Sequence, residues 1–414
     1  MATQTPNPTY RQAATLAFER VIDLIADYSV FAPVNGYWHM ANTLDTCLQH
    51  LLIEQKSPRP DSFNLVKNAL DKVFDSRMRD KGESVEATDW GEWSRHGDGP
   101  WADDYGWWGV ALITAYRNRG FLGYDETFSN RILKYARNCF TALAYGWDPS
   151  EAVEHSDVKG GAWNHQDLDQ ALTGRNNVTN EVLWIFSQRI SDLDPNNEIY
   201  KDQVAASQKF FFDAKKKKAS EDGALLNAKG LVRERLLGMQ NGYPGWYWVG
   251  DQGLFMGACL GHGDTAGAKK LAEKVTANML DSKAVLHDTI SPNSDFNDDY
   301  ATGKGVFMRN WKMFLGVSEP NRPTNFQDLI TANAKAVWNN RVTPEASGRA
   351  QYQFGFNWNP AGKPFKKGGK GGEPTYPNGD ENPSTFSLLV CQVAGLAALN
   401  AACLLQSADV QIPA

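Results

Sequence analysis

The chain has 414 residues, a formal net charge of −6 and an apolar content of 42%, which is ordinary for a globular protein with a sizeable core. The slightly acidic balance argues against a basic face that binds nucleic acid. No window approaches 18 apolar residues, so we expect no transmembrane span.

Apolar residues recur at three- and four-residue spacing between Gly-, Pro-, Asn- and Asp-rich connections, a pattern typical of amphipathic helices. Asp125, Asp264 and Ser384 stand where N-caps are expected. Short hairpins are predicted only near 224–236 and 351–358. We predict helices at residues 8–28, 38–56, 62–80, 104–118, 125–146, 177–191, 198–216, 247–260, 264–282, 305–318, 323–340 and 384–407.

The alternation of short and long connections between these helices predicts an all-α fold, an (α/α)6 toroid in which long loops line a cleft. Connections this long in a compact domain are usually functional. No linker divides the chain, so we predict one domain over residues 1–414. A helical repeat protein is the alternative, but no fixed sequence period supports it. The long connections are 81–103, 147–176, 218–246, 283–304 and 341–383.

Tryptophan is abundant, with 14 residues, and many of them lie in the long connections. A buried indole needs a partner for its N–H, so a core uses Trp sparingly. Many Trp side chains in loops favour a surface that binds flat, partly apolar faces such as those of sugar rings. The alternative is that they are buried where helix ends meet. Examples are Trp90, Trp93, Trp101, Trp163, Trp246 and Trp358.

Two consecutive aspartates, Asp103 and Asp104, open the predicted helix 104–118 and are surrounded by aromatic residues. Hydrolysis of a glycosidic bond uses two carboxyl groups in most enzymes. Consecutive helical residues point about 100° apart, but at a first turn that faces a cavity both can reach one sugar. The alternative is ordinary, because aspartate is favoured at the start of any helix.

Two further blocks carry polar groups suited to sugar hydroxyls. Gly160 to His165 leads through Arg175 to Asn176, which can bind hydroxyls or simply cap the helix after it. The block from Tyr243 to Gly253 contains Gln252, for which the same two interpretations stand. The seven histidines and five cysteines show no metal-ligand spacing, and no dinucleotide or phosphate-loop motif occurs. We therefore expect no metal and no cofactor.

Together these blocks resemble glycoside hydrolase family 76, the endo-α-1,6-mannanases. The resemblance extends from about residue 30 to about residue 405, and the paired aspartates are its most specific part. One departure is Asp251 before Gln252, where the family usually has Asn. The matching segments are Trp38 to Asp45, Asp103 to Trp108, Gly160 to Asn164, Arg175 to Asn180, Gly355 to Trp358, and the last helix with Gln392.

The resemblance implies an (α/α)6 fold and a retaining endo-α-1,6-mannanase that acts on mannan. It implies that Asp103 is the nucleophile and that Asp104 is the general acid and then the base. Aromatic rings would stack on the sugars while amides bind hydroxyls. The substrate-binding residues would be Trp101, Tyr105, Trp107, Asn176, Trp246 and Gln252.

Other functions remain open from the residues alone. A sugar epimerase or isomerase on the same toroid would use a base, commonly histidine, and would not need adjacent carboxylates. Another toroid hydrolase, or a lyase acting on uronides, would favour a basic cleft. A non-catalytic glycan-binding protein would keep the aromatics without needing Asp103 or Asp104.

We expect an oligo- or polysaccharide substrate, no nucleic-acid partner and a monomeric protein. The first residues lack the basic and apolar regions of a signal peptide. The localisation expected from the sequence as written is cytoplasmic, or secreted if a leader has been removed.

Overall fold

The computed structural model describes residues 7–26, 37–54, 67, 101–147, 149–153, 156–164, 174–238, 247–288, 301–341, 353–356, 358, 384–405 and 408–413. Within these ranges the chain forms eleven α-helices and isolated β-bridges, with no extended strand. The all-α prediction is confirmed. The helices are α1 Tyr10–Ala26, α2 Tyr37–Glu54, α3 Ala102–Arg117, α4 Glu126–Ala144, α5 Asn177–Ser191, α6 Glu198–Lys216, α7 Val249–His262, α8 Thr265–Asn278, α9 Gly303–Trp311, α10 Phe326–Asn339 and α11 Thr385–Cys403.

Short polar side chains begin several helices as the sequence indicates. The Asp125 carboxylate accepts the Phe128 N–H at the start of α4. Asp264 caps α8 and Ser384 caps α11 in the same way. Each contact satisfies one N–H that the first helical turn leaves unpaired.

Some predicted elements differ from the structure or lie outside the described residues. The helix predicted over 264–282 ends at Asn278, and Leu280 instead forms a bridge with Leu286. The helix predicted over 305–318 starts at Gly303 and continues from Lys312 as a 3₁₀ turn. The helix predicted over 62–80 lies outside the described residues apart from Lys67, and the loop 360–383 lies outside them entirely.

The chain forms two compact units. The terminal unit comprises Met1–Ala32, Trp248–Leu260 and Asp264–Ala414, and the central unit comprises Pro33–Tyr247 with Gly261–Gly263. The prediction of a single domain over residues 1–414 stays a prediction.

In the central unit, helices α2, α3 and α5 run parallel to one another. Trp107 of α3 stacks on Trp38 of α2, and seven residues further along both helices Thr114 donates a hydrogen bond to Asp45. Two glycines of α3 face α5. A methyl group at Gly106 would lie 2.4 Å from Val182 Cγ1, and one at Gly109 would lie 2.1 Å from Phe186 Cε1. The missing side chains therefore let the two helices approach closely, with their first turns at the same level.

Helix α4 packs on α3 in the opposite direction. Leu143, near the end of α4, lies 2.9 Å from where a methyl group at Gly106, near the start of α3, would stand. Helix α6 packs on α5, where the ring of Phe211 stacks on Trp184 at a centroid distance of 5.5 Å. Parallel helices alternating with antiparallel neighbours are the local arrangement expected of an α/α fold.

The terminal unit repeats this arrangement with α7, α9 and α11. A methyl group at Gly253 of α7 would lie 2.5 Å from the main chain of Phe307, and one at Gly257 would lie 2.1 Å from Asn310, so α7 and α9 run parallel. A methyl group at Gly305 of α9 would lie 2.7 Å from the main chain of Ala394 in α11. Glycines thus mark the close contacts of these helices as well.

Helix α11 bears on the expectation that the chain has no transmembrane span. Its 19 residues pass a length and hydropathy test for a membrane span, with a mean hydropathy of 1.8 over the most apolar window. That window is 89% buried inside the protein, and the helix packs against α1, α9 and α10. Its apolar character on all sides is that of a buried core helix.

The five cysteines are all buried and unbonded to one another. Burial raises the pKa of both Cys47 and Cys139 above the ordinary thiol value. These thiols therefore behave as small apolar core residues, as the sequence indicates.

The contact between Gly109 and Phe186 yields a test of the central unit. Alanine in place of glycine within a helix usually stabilises a protein by about 1 kcal/mol. At this position the added methyl group collides with a fully buried ring. We expect Gly109→Ala to lower the free energy of unfolding by about 1–3 kcal/mol, measured by urea denaturation.

Gly120→Ala is the matched control, because a methyl group there meets no atom within 4 Å. Its free energy of unfolding should match or exceed that of the wild type. Equal effects of the two substitutions would contradict the close helix contact.

Candidate functional site

The first turn of α3 holds both predicted catalytic aspartates. Trp101 is the N-cap, with an extended backbone at φ −70° and ψ 161°. The Asp104 Oδ2 atom accepts a hydrogen bond from the Trp101 main-chain N–H at 2.7 Å, which fixes the carboxylate against the start of the helix. Asp104 is 6% exposed, whereas Asp103 is half-buried.

The aromatic residues that follow are buried beside these carboxylates. Tyr105 is 7% exposed and Trp107 is 5% exposed, while Trp101 is half-buried. Burial raises the pKa of Tyr105, and the nearby Cys139 and Asp104 raise it further. The phenol therefore stays protonated at neutral pH and keeps its hydrogen to donate.

The segment Gly160 to Asn164 is bound to the same end of α3. The Asn164 carbonyl accepts the Ala102 N–H at 2.9 Å, in the turn that carries both aspartates. Asn164 also binds Gly174 twice, through its own N–H and through its side-chain oxygen. Gly160 and Gly161 both have φ of +94°, a conformation that favours glycine.

Asn180 of α5 holds this segment in place. Its side chain is fully buried and binds Ala162 on both sides, accepting the N–H at 2.7 Å and donating to the carbonyl at 3.1 Å. It also donates to the carbonyl of Asn176 at 2.9 Å. The main chain beside the aspartates is thus tied to α5 through one amide side chain.

Asn176 acts as the N-cap of α5. Its side-chain oxygen accepts the Thr179 N–H at 3.1 Å, so Asn176 caps the helix that follows it. Contact between Asn176 and a substrate stays a prediction.

Arg175 lies next to this cap and is 2% exposed. It forms an ion pair with Glu151, donates to the Ala152 carbonyl, and lies with its guanidinium 4.7 Å from the centre of the Trp163 ring. Glu151 therefore neutralises the charge of Arg175, and the guanidinium packs against the Trp163 ring.

Two further candidates are Gln252 and Trp246. Gln252 is fully buried in the terminal unit and donates to the Trp248 carbonyl at 3.0 Å, one turn earlier in α7. Trp246 lies outside the described residues. Contacts of both residues with a substrate stay predictions.

Two buried charged residues were not singled out from the sequence. Glu181 of α5 is fully buried, directly after Asn180 and before Val182, which faces Gly106. Lys304 of the terminal unit is also fully buried, donates to the Phe356 carbonyl at 3.0 Å and lies 4.3 Å from the centre of that ring. The sequence signal for these two residues was a charged side chain within an otherwise apolar helical segment.

The central unit therefore places two carboxyl groups, one half-buried and one buried, among aromatic rings at a helix start. This arrangement can donate a proton and offer a nucleophile to one bond. Among the described residues, no group of three His, Cys, Asp or Glu side chains is placed to hold a metal ion.

The fold matches solved structures over most of the chain. The α-1,6-mannanase GH76A of Salegentibacter sp. HEL1_6 has 18% identity and a TM-score of 0.63, covering 95% of this chain and 99% of that chain. A variant of that enzyme, inactive through substitution of two consecutive aspartates and solved in complex with an α-1,6-mannotetraose, has 17% identity and a TM-score of 0.64 over the same shares.

The same fold also occurs in a different class of enzyme. A polysaccharide lyase has 10% identity and a TM-score of 0.51, covering 94% of this chain and 97% of that chain. No protein-family model and no curated protein matches the sequence. At these identities the likeness establishes the fold: the structural neighbours include family 76 α-1,6-mannanases, and the predicted fold class is confirmed.

The three hydrogen bonds of Asn180 yield a test of how the site is held. Asn180→Ala removes the side-chain partners of two main-chain groups of Ala162, which is 0% exposed. Leaving a buried polar group without its partner costs about 1–3 kcal/mol. We expect the free energy of unfolding to fall by about 2–4 kcal/mol, measured by urea denaturation.

Asn278→Ala serves as the control, because its exposed amide makes a single hydrogen bond to the Lys274 carbonyl. Such a surface change should stay within about 0.5 kcal/mol of the wild type. A loss at Asn180 no larger than that at Asn278 would refute its anchoring role.

Proposed function

We propose that this protein is a glycoside hydrolase that cleaves α-1,6-linked mannan, with Asp103 and Asp104 as its two reacting carboxyl groups. The observation that carries the proposal is the pair of consecutive aspartates in the first turn of α3, one of them positioned by the Trp101 N–H. A solved mannanase with this fold is inactive when two consecutive aspartates are substituted, which supports the same role for this pair.

The chemistry needs one carboxyl group on each side of the scissile bond. Consecutive residues in a helix point about 100° apart, so the two groups approach a sugar in the cleft from different directions. Retention of configuration requires their separation to be about 5–5.5 Å. The roles that the family resemblance implies are carried over here to Asp103 and Asp104.

In the first step, an Asp103 oxygen attacks the anomeric carbon while Asp104 gives its proton to the leaving glycosidic oxygen. The bond to the leaving sugar breaks as the glycosyl–Asp103 ester forms. The hydrogen bond from the Trp101 N–H to Asp104 Oδ2 positions this carboxyl group for the transfer. In the second step, Asp104 removes a proton from a water molecule whose oxygen attacks the anomeric carbon. The bond to Asp103 breaks, so the sugar is released with a new hydroxyl and both groups return to their starting states.

Substrate contacts are proposed for the aromatic and amide residues around these groups. Tyr105 is proposed to donate its phenol hydrogen to a sugar oxygen. The other proposed contacts are Trp101, Trp107, Asn176, Trp246 and Gln252.

A polysaccharide lyase is the second candidate, because one such enzyme shares the fold over 94% of this chain. A lyase acts on uronides, whose carboxylate needs a positive partner. Arg175, which packs beside Gly161, is already paired with Glu151 and is 2% exposed. The two carboxyl groups of α3 suit a neutral sugar better.

Replacement of either aspartate by asparagine tests the proposal. Asp103→Asn and Asp104→Asn keep the side-chain shape but cannot act as nucleophile or proton donor. We expect kcat on α-1,6-mannan to fall by about 10³-fold or more for each, followed by the release of reducing ends.

Asp202, an exposed residue within α6, provides a matched control. Asp202→Asn should keep most of the activity if the reaction belongs to the pair in α3. Wild-type protein that releases unsaturated products from uronides, and none from mannan, would establish the lyase instead.

A further inference from the structure

Trp38 and Trp107 form a stacked pair beside the aspartates. Their ring centroids lie 5.7 Å apart at an interplanar angle of 27°. Trp107 is 5% exposed, whereas Trp38 is half-buried, with the His39 ring at a centroid distance of 3.9 Å and tilted by 33°. The member of the pair that can meet a ligand is therefore Trp38.

Helix geometry places this pair at the level of the carboxyl groups. Side chains in an α-helix lean toward its N-terminus, so the ring of Trp107 covers the preceding turn, which contains Asp103 and Asp104. Trp38 is the second residue of α2. Because α2 and α3 run parallel, its ring lies beside that same first turn of α3.

Trp107 depends on this stacking for its position. Its Nε1 atom is buried and has no hydrogen-bond partner among the residues that the structure describes, although a buried indole N–H usually finds one. No such bond ties the ring in place from within that part of the chain. The contact with Trp38 is thus one of the packing contacts that position this ring.

We propose that Trp38 is the aromatic platform on which a sugar ring stacks next to the scissile bond, and that Trp107 supports it from behind. This assignment rests on the proposed function. An indole offers a flat, electron-rich face, and the C–H groups on one face of a pyranose ring pack against such a surface. Trp38 then sets the position of the sugar relative to Asp103 and Asp104.

Binding to a catalytically inactive protein separates this role from chemistry. The double variant Asp103→Asn/Asp104→Asn is titrated with α-1,6-mannotetraose and followed by calorimetry and tryptophan fluorescence. Addition of Trp38→Ala should weaken binding by roughly tenfold or more. Trp38→Phe should restore most of the affinity, because a smaller ring still stacks, while most of the fluorescence change is lost.

A control distinguishes stacking from a general loss of an aromatic residue. Phe121, 36% exposed and four residues beyond the other end of α3, is replaced by alanine in the same background. Phe121→Ala should leave affinity unchanged. In the active enzyme, Trp38→Ala should raise KM for the tetrasaccharide by a similar factor.

The outcomes separate the two proposals. An inactive parent that binds mannotetraose, combined with unchanged affinity in Trp38→Ala, overturns the role of Trp38 alone. A loss of affinity in Trp38→Ala that Trp38→Phe does not restore also overturns the stacking role. A parent that binds no manno-oligosaccharide, beside a wild type inactive on mannan, overturns the proposed function and with it this inference.

Discussion

The close packing of parallel helices through glycine is the constraint on which the candidate site depends. Gly106 and Gly109 leave room on α3 for the Val182 and Phe186 side chains of α5, and an added methyl group at either glycine would collide with them. Both helices begin at the same level as a result, which places the aspartates of α3 beside the N-cap of α5. A wider separation would remove Asn180 from reach of Ala162 and Asn164 from reach of Ala102.

Buried polar groups then convert this packing into a defined geometry. Asn180, fully buried, binds both the N–H and the carbonyl of Ala162. Two residues later, the Asn164 carbonyl accepts the Ala102 N–H in the first turn of α3. Asp104 is fixed in turn by the N–H of Trp101. A buried network of this kind is strong only when its members are paired. Gly160 and Gly161 adopt a φ of +94°, and this backbone conformation lets the following residues reach their partners.

Local signals predicted much of the helical framework. The bounds of α5 and α6 agree with the predicted 177–191 and 198–216, because asparagine caps and an apolar period mark both. The predicted start of α9, at residue 305, is two residues late because Gly303 weakens helix propensity, as does Gly305 in the same turn. They are required by Trp248 and Ala394, contacts that are distant in sequence.

The candidate site also contains features that local sequence predicts and features that it does not. The aspartate pair stands out because its chemistry is visible in consecutive residues. The burial of Glu181 and Lys304 is marked in the sequence only by a charge within an apolar helix, and the stacking of Trp38 on Trp107 arises between separate helices without a local pattern. Asn176, Trp246 and Gln252 remain predicted substrate contacts.

The stereochemistry of the first product tests the central claim most directly. Purified protein is mixed with α-1,6-manno-oligosaccharides, and the anomeric protons of new reducing ends are followed by NMR from the first minutes. The paired-aspartate account predicts that α-configured reducing ends appear first and convert slowly to the equilibrium mixture. Initial formation of the β-anomer, or no cleavage of these substrates, would contradict it.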